Sequence, residues 1–222
     1  MRVRPETYRW QAKVEARVRA GHHDAVLEAP LADPQAFVEQ LGAYRRAGHR
    51  IETVVLAVPE AVSQLGILDR YLRLARQGRA RYVSWTNHDA CAVALVATLR
   101  QVEARHLADR VFVVRRADEA ALEMVYDNAL DGTTGRSRRP AGAAQAVLEE
   151  RRRPWDARET GRFRRQLATA SRRRATGTLH SSAQCANSNK TGPSPCSWQD
   201  RMPSTSLTVL SAPRRFLPPA RA

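Results

Sequence analysis

The chain has 222 residues, with 37 Lys+Arg against 22 Asp+Glu and a formal net charge of +15 at pH 7. A hydrophobic fraction of 43% supplies enough apolar side chains for a core, which excludes a wholly disordered chain. Residues 1–130 carry 19 basic and 16 acidic side chains, whereas residues 131–222 carry 18 and 6. The excess positive charge therefore lies in the C-terminal part.

A basic chain is typical of nucleic-acid-binding proteins, because clustered cations displace counterions from phosphates. However, only Lys13 and Lys190 are lysines and 35 residues are arginines, an excess that GC-rich coding DNA also produces. We favour this second explanation. The three cysteines have no C-x-x-C spacing, which argues against a zinc site or a disulfide framework. Without an 18-residue apolar run or a signal segment, we expect a cytoplasmic protein with no membrane contact.

Helices and strands are predicted to alternate along the first 130 residues. Helical spacing is predicted over 5–20, 33–48, 59–78, 88–107 and 117–130. Apolar runs rich in β-branched residues predict buried strands over 24–28, 51–58 and 110–115. Strands separated by helices indicate an α/β fold with an open, mostly parallel sheet that helices cover on both faces.

The C-terminal part has a different composition. Residues 142–170 regain helical spacing, interrupted at Pro154, whereas Ser, Pro, Thr, Gly and Asn dominate from Ser171 onward. We therefore predict a folded domain over 1–170 and a basic, disordered tail over 171–222. The abrupt change is also typical of a frame-shifted or non-native C-terminus.

Glu28 is a candidate functional carboxylate. It ends the first predicted strand and precedes Ala29 and Pro30. Open parallel sheets bind ligands beyond the carboxyl ends of their strands, so a carboxylate at this position can act in catalysis. The alternative is that Glu28 caps a helix or binds a loop.

Five arginines lie on or just after the helix predicted over 59–78: Arg70, Arg73, Arg76, Arg79 and Arg81. Guanidinium groups that converge near a sheet edge can hold a polyphosphate and neutralise the charge that grows during phosphoryl transfer. The alternative is a solvated, arginine-rich helix face.

The pair His88-Asp89 is a candidate acid–base or metal unit, because a carboxylate can fix the tautomer of a histidine. The favoured alternative is that it begins a helix after Thr86 or Asn87. No other histidine or cysteine has ligand spacing, so no metal-ligating residue is assigned. The chain contains no Gly-Lys pair and therefore no G-x-x-x-x-G-K-[ST] phosphate loop.

Several short motifs follow one another in a specific order and spacing. They are Asp24-Ala-Val-Leu-Glu28, Leu56-Ala-Val-Pro59, Ser63-Gln-Leu-Gly66, Asp69-Arg70-Tyr71, Gly78-Arg-Ala-Arg81-Tyr82 and His88-Asp89. Together they resemble the zeta toxin family of bacterial kinases, over roughly residues 3–168. The resemblance implies a P-loop-type phosphotransferase that uses ATP and Mg²⁺, phosphorylates UDP-N-acetylglucosamine and is restrained by an antitoxin protein.

The resemblance also implies roles for three residues: Glu28 as a catalytic carboxylate, and Arg70 and Arg81 as ATP-binding side chains. The family's phosphate loop and catalytic aspartate precede the segment that matches residues 3–20, and both are absent from this chain. We therefore expect an N-terminally truncated kinase domain with impaired turnover and a gap or exposed edge in its sheet. The alternative is a non-catalytic remnant that binds a nucleotide or a partner. Nucleic-acid binding is disfavoured.

Overall fold

The computed structural model describes residues 3–31, 33–80, 83–117, 121–185 and 207–213. The described helices are α1 (Val3–Ala20), α2 (Pro34–Arg46), α3 (Glu60–Ala75), α4 (Trp85–Ala104), α5 (Ala143–Arg152) and α6 (Ala157–Cys185). The described strands are β1 (Ala25–Ala29), β2 (His49–Leu56), β3 (Arg110–Arg116), β4 (Leu122–Ala129) and β5 (Leu207–Pro213). The predicted α/β order is confirmed from α1 to β3.

The sheet has five described strands in the order β1-β5-β2-β3-β4. β2 and β3 are parallel neighbours, with Val55 opposite Val113. β5 lies between β1 and β2 and is antiparallel to both, and β4 is antiparallel to β3. The prediction of a mostly parallel sheet is therefore wrong, because the sheet is mixed and one described pair of neighbours is parallel.

The helix predicted over 117–130 is also wrong, because β4 occupies this segment and pairs with β3. Asp127 lies opposite Phe112, and its Oδ2 atom is 2.6 Å from Nη2 of Arg110. Nearer the other end, Glu123 lies opposite Arg115, with 2.8 Å between Oε2 and Nη2. These cross-strand contacts exist only when the two segments pair, so tertiary pairing overrides the helix-forming tendency of the alanine, leucine and glutamate residues.

Two parts of the predicted disordered tail have regular structure. α6 extends from Ala157 to Cys185 and packs on α3 at residues 170–173, where Ala170 is buried and Arg173 pairs with Asp69. β5 fills the place between β1 and β2, where two strand edges offer unpaired backbone groups to an extended segment. Two described parts of the region beyond residue 170 thus have regular structure, and β5 leaves no gap between β1 and β2, whereas β1 itself lies at an edge of the described sheet. The domain boundary after residue 170 stays a prediction.

One face of the sheet forms the floor of the core. On β2, Ile51, Thr53 and Val55 are buried, whereas the two residues between them are half-buried. α2 packs on β2 and α5 on β3, and α4 packs on both helices with Leu95 completely buried. Helices therefore flank the sheet on the face that carries Ile51, Thr53 and Val55.

Side-chain caps set the starts of two helices that border the cavity or the core. The Oδ1 atom of Asp33 accepts the N–H groups of Gln35 at 3.0 Å and Ala36 at 3.1 Å, so α2 begins after Asp33 as predicted. Asp156 and Glu159 accept each other's backbone N–H groups at 2.7 and 2.9 Å, a capping box at the start of α6. The predicted interruption at Pro154 is confirmed.

Candidate functional site

A cavity of about 660 Å³ opens at the carboxyl ends of β2 and β3. It is lined by the segment from Leu56 to Pro59, which connects β2 to α3, and by Arg115 and Arg116 at the end of β3. α3 and α6 form its walls. The cavity therefore lies at the sheet edge where ligands of open α/β sheets bind.

The lining of the cavity has an excess of positive charge. The charged residues are Arg115, Arg116, Arg153, Arg162, Arg165 and Arg173, with Asp69, Glu150 and Glu159. Six guanidinium groups against three carboxylates leave a net of three positive charges. A concave surface with one predominant sign of charge concentrates ligands of the opposite sign, so this lining favours an anionic ligand.

Carboxylates already engage three of these arginines: Arg173 pairs with Asp69, and Arg115 and Arg153 pair with glutamates. Arg115 lies 2.8 Å from Glu123 and 3.5 Å from Glu150, and Arg153 lies 3.0 Å from Glu150 and also pairs with Glu159. The hydrogen bonds from Arg153 lower the pKa of Glu159 to about 2, although burial opposes this shift. The hydrogen bond to Glu159 in turn raises the pKa of Arg153. The guanidinium groups of Arg115 and Arg153 build the wall of the cavity and have little capacity left for a ligand.

Other arginines of the cavity retain free hydrogen-bond donors. The guanidinium groups of Arg116 and Arg165 make no hydrogen bond or ion pair with the described part of the chain. Arg162 donates one hydrogen bond, of 3.3 Å, to the carbonyl oxygen of Ala117. The planar guanidinium fork matches phosphate and carboxylate oxygens, so these three side chains can bind an anion.

Two aromatic rings also line the cavity. The ring centroids of Trp155 and Phe163 are 5.0 Å apart, with the rings tilted by 60°. Trp155 precedes the capping box of α6, and Phe163 follows it within two turns, so the start of α6 fixes both rings. Aromatic side chains offer apolar area and rigid geometry to a planar ligand group.

Glu28 lies on β1 at the same sheet edge but outside the cavity. It pairs with Thr208 of β5, which in turn pairs with Val54 of β2. Its carboxylate is exposed and makes no hydrogen bond or ion pair with the described residues. Glu28 therefore lies near the carboxyl end of its strand, as expected. Its role in catalysis stays a prediction.

Arg70 lies on α3 with its side chain exposed, and its guanidinium group has no partner in the described part of the chain. The neighbouring Asp69 lines the cavity, but Arg70 does not. Arg81 lies outside the described residues. The structure therefore does not bring Glu28 and Arg70 together in one cavity, and the proposed ATP contacts of both arginines stay predictions.

His88 and Asp89 occupy the first turn of α4 and contact α3. His88 is only 1% exposed, its Nδ1 atom is 2.8 Å from Oδ1 of Asp89, and its Nε2 atom is 3.0 Å from Oγ of Ser63. Gln64 donates a second hydrogen bond, of 3.0 Å, to Asp89. The alternative prediction was that the helix begins after Thr86 or Asn87. Ser84 caps α4 instead, because its Oγ atom accepts a hydrogen bond from the N–H of Asn87.

The arginines and aromatic rings of the cavity were not among the predicted site residues. Arg115 and Arg116 had a signal in the sequence, since they follow an apolar strand directly. Trp155 and Phe163 had none, because they meet the sheet edge only through the packing of α6 on α3. Among the described residues, no three His, Cys, Asp or Glu side chains come together as metal ligands, and no helix is long and apolar enough to cross a membrane.

Comparisons with known proteins agree with the resemblance of the motifs. The family model described as Zeta toxin matches residues 1–131. A solved structure from the PezAT chromosomal toxin–antitoxin system of Streptococcus pneumoniae is 19% identical, with a TM-score of 0.47. That match covers 67% of this chain and 52% of the other, so the chain spans about half the length of the structure it matches. No curated protein matches the chain. The family model covers more than half of the residues, and the chain belongs to the zeta toxin family.

Proposed function

We propose that this chain is an ATP-binding kinase of the zeta toxin type whose phosphoryl transfer is impaired. The family reaction would move the γ-phosphate of ATP to a hydroxyl of UDP-N-acetylglucosamine. The observation that carries the proposal is the positively charged cavity at the carboxyl ends of β2 and β3 in a chain of this family. An antitoxin protein is the partner that family membership suggests.

Unpaired guanidinium groups support nucleotide binding. Arg116 and Arg165 offer free donors inside the cavity, and Arg70 offers them on the adjoining α3. By resemblance, Arg70 and Arg81 would contact the phosphates, where fixed positive charge stabilises the negative charge of the transferring group. Glu28 would be the carboxylate nearest the acceptor in the family arrangement.

A magnesium site fits these residues poorly. Mg²⁺ is usually held by one or two carboxylates together with substrate phosphates. The three carboxylates of the cavity are all paired with arginines, and Glu28 lies outside it. We therefore assign no step to Mg²⁺.

These 222 residues contain no G-x-x-x-x-G-K motif that could surround the β- and γ-phosphates with backbone N–H groups. Phosphoryl transfer depends on such positioning of the phosphates together with a general base, and a general base alone contributes roughly 10²–10⁴-fold to a rate. We therefore expect these residues by themselves to bind a nucleotide without efficient transfer.

The first experiment measures ATP consumption by the chain with and without UDP-N-acetylglucosamine. We expect turnover at or near background, together with measurable ATP binding by calorimetry. Turnover comparable to that of zeta toxins with a phosphate loop would contradict the impairment, and absence of ATP binding would contradict the proposal itself.

The second experiment tests the two arginines that the resemblance selects. Arg70→Ala and Arg81→Ala should each weaken ATP binding by about tenfold or more, the effect of losing a charge-assisted hydrogen bond. Arg100→Ala is the matched control, because Arg100 is an exposed arginine on α4 that lies outside the cavity. Equal affinities in all three variants would refute the carried-over roles.

The second candidate function is a remnant that binds a nucleotide or a partner protein without catalysis. The missing phosphate-loop motif favours it. The variant Glu28→Gln distinguishes the two candidates. If any residual rate of ATP consumption is unchanged in this variant while ATP still binds, the remnant without catalysis is favoured. Nucleic-acid binding is tested by the same preparations, since it would weaken steeply as salt concentration rises.

A further inference from the structure

The rings of Trp155 and Phe163 line the cavity and lie outside the core. Both residues are half-buried, and 5.0 Å separates their ring centroids. Neither is among the described side chains that form the core or pack against it. Large apolar side chains that stay accessible outside a core are informative, because they offer contact area to another molecule.

The contact between these two rings is not part of the cap of α6. Asp156 caps the helix, and a hydrophobic staple would join Trp155 to the fourth helical residue, which is the polar Thr160. Trp155 instead contacts Phe163, three residues further along the helix. The two rings therefore form a separate aromatic surface in the wall of the cavity.

Arginines with free donors lie close to this aromatic surface. Arg162 directly precedes Phe163 and donates a hydrogen bond of 3.3 Å to the carbonyl oxygen of Ala117, the residue after Arg116. Arg165 follows on α6, about 4.5 Å further along the helix axis at a rise of 1.5 Å per residue. The guanidinium groups of Arg116 and Arg165 make no hydrogen bond or ion pair with the described residues.

The carboxylates of the cavity do not neutralise these arginines. Asp69, Glu150 and Glu159 are each paired with other arginines of the lining. The six guanidinium groups of the lining exceed the three carboxylates, so positive charge remains for a ligand. A group with more than one negative charge, such as a diphosphate or triphosphate, matches this excess.

A ligand that uses both features carries a planar ring and several negative charges. Because the two aromatic rings are tilted by 60°, a planar base can lie parallel to one ring and meet the other edge-on. The volume of about 660 Å³ is in the range of small-molecule sites. We propose that this cavity binds a nucleoside phosphate, whose base stacks on Trp155 with Phe163 at its edge and whose phosphates lie on Arg116, Arg162 and Arg165. The choice of a nucleoside phosphate among aromatic anions rests on the proposed function.

Most of this site lies outside the segment that the family model matches. The model ends at residue 131, whereas both rings, Arg162 and Arg165 follow it in the chain. Arg70, whose role is carried over from the family, does not line the cavity. The site therefore rests on the contacts of α6 and the end of β3.

The test compares the binding of ATP and of inorganic tripolyphosphate by calorimetry. Trp155→Leu keeps an apolar side chain without an aromatic face, and we expect ATP affinity to fall about tenfold, the effect of losing one base–aromatic stack, with tripolyphosphate affinity unchanged. Arg165→Ala should weaken the binding of both probes about tenfold. The proposal is overturned if Trp155→Leu binds ATP like the parent chain, if it loses both probes equally, or if tripolyphosphate does not bind the parent chain.

Two control variants separate the site from general effects of the substitutions. Trp85→Leu removes a tryptophan that is 43% exposed at the start of α4, and Arg164→Ala removes an exposed arginine next to Arg165; neither residue lines the cavity. Both variants should bind ATP like the parent chain, and a loss as large as that in the site variants would contradict the proposal. If Trp155→Leu does not fold, Phe163→Leu replaces it, with an expected several-fold loss of ATP affinity alone. Parent-like affinity of Phe163→Leu would then refute the site.

Failure of the site and failure of the proposed function give different results. If ATP binds the parent chain and Trp155→Leu equally, the site is wrong while the proposed function stands. If the parent chain binds no ATP, the proposed function fails, and UDP is titrated as a second nucleoside phosphate. UDP binding that Trp155→Leu weakens, with tripolyphosphate binding unchanged, would still support the site, whereas no binding of either nucleotide would overturn it.

Discussion

Glu103 is the buried carboxylate on which the start of α5 depends. It lies near the end of α4, is 7% exposed, and accepts hydrogen bonds from the hydroxyl of Tyr126 at 2.6 Å and from the N–H groups of Gly142 at 3.2 Å and Ala143 at 2.9 Å. It therefore replaces a capping side chain, since Gly142 supplies none. One carboxylate holds α4, β4 and α5 together.

The replacement Glu103→Gln measures how much this arrangement contributes. The amide oxygen of the glutamine can accept two of the three hydrogen bonds, now without a charge. The NH₂ group of the same side chain must then face the third donor, and the negative charge at the N-terminus of α5 is lost. Hydrogen bonds to a charged group contribute about 1.5–3 kcal/mol, against about 0.5–1.5 kcal/mol for neutral ones, and the helix-dipole interaction adds about 0.3–1 kcal/mol. We expect the free energy of unfolding to fall by about 3 kcal/mol, or the melting temperature by about 6–12 °C.

Urea unfolding followed by circular dichroism measures this change, and a tyrosine titration provides an independent check. Burial, followed by the hydrogen bond to Glu103, raises the pKa of Tyr126 to about 12. A raised pKa means that the neutral hydroxyl contributes stability that is complete below pH 10 and is lost between pH 10 and about pH 12. The Tyr126→Phe variant should lose this pH dependence.

The reasoning is refuted if Glu103→Gln unfolds within about 0.5 kcal/mol of the parent chain, the range typical of a surface substitution. A double variant with Tyr126→Phe then separates the tyrosine contact from the two backbone contacts. If the effects of the single substitutions simply add, Glu103 and Tyr126 are not coupled, contrary to the short hydrogen bond between them.

Three further predictions concern other parts of the fold. Asp33→Ala removes the cap of α2 and should lower the free energy of unfolding by about 1 kcal/mol, measured in urea, while Asp33→Asn should keep most of it. Because the pKa of Glu159 is lowered to about 2, its ion pair contributes fully to the free energy of unfolding above pH 4.5, and this contribution is lost as the pH falls to about 2. The difference in stability between the parent chain and Glu159→Gln should therefore shrink over that pH range. A constant difference would contradict the ion pair. Ending the chain before Leu207 should broaden thermal unfolding and promote aggregation, whereas a sharp monomeric transition would show that β5 is dispensable.

Local sequence signals predicted the elements that their own side chains define. The Asp33-Pro34 start of α2, the break at Pro154 and the apolar run of β2 depend on neighbouring residues, and the structure confirms them. β4 depends instead on a partner strand. Residues 122–129 contain good helix formers, and only pairing with Arg110 and Arg115 makes them a strand.

The candidate site was likewise predictable only in part from the sequence. The sheet edge was predicted from the order of strands and helices, whereas binding by guanidinium groups was predicted from the arginines of residues 70–81 and from the family resemblance. The identity of the arginines in the cavity was not predicted, because Arg153, Arg162 and Arg165 reach it through the packing of α6 on α3. The contact between His88 and Ser63 was equally hidden, since the two residues lie 25 positions apart on different helices.

The position of β5 has a consequence for how the chain acquires its structure. β1 is joined to the described sheet only through β5, and Ala25 pairs with Ser211. During synthesis, the strand that carries Glu28 is made about 180 residues before β5, its neighbour in the described sheet. Pairing across so long a stretch of sequence is slow, because a large loop must close before any contact stabilises it. A nascent or prematurely terminated chain therefore presents β1 and one edge of β2 unpaired, which makes it a substrate for chaperones and proteases before it can bind any ligand.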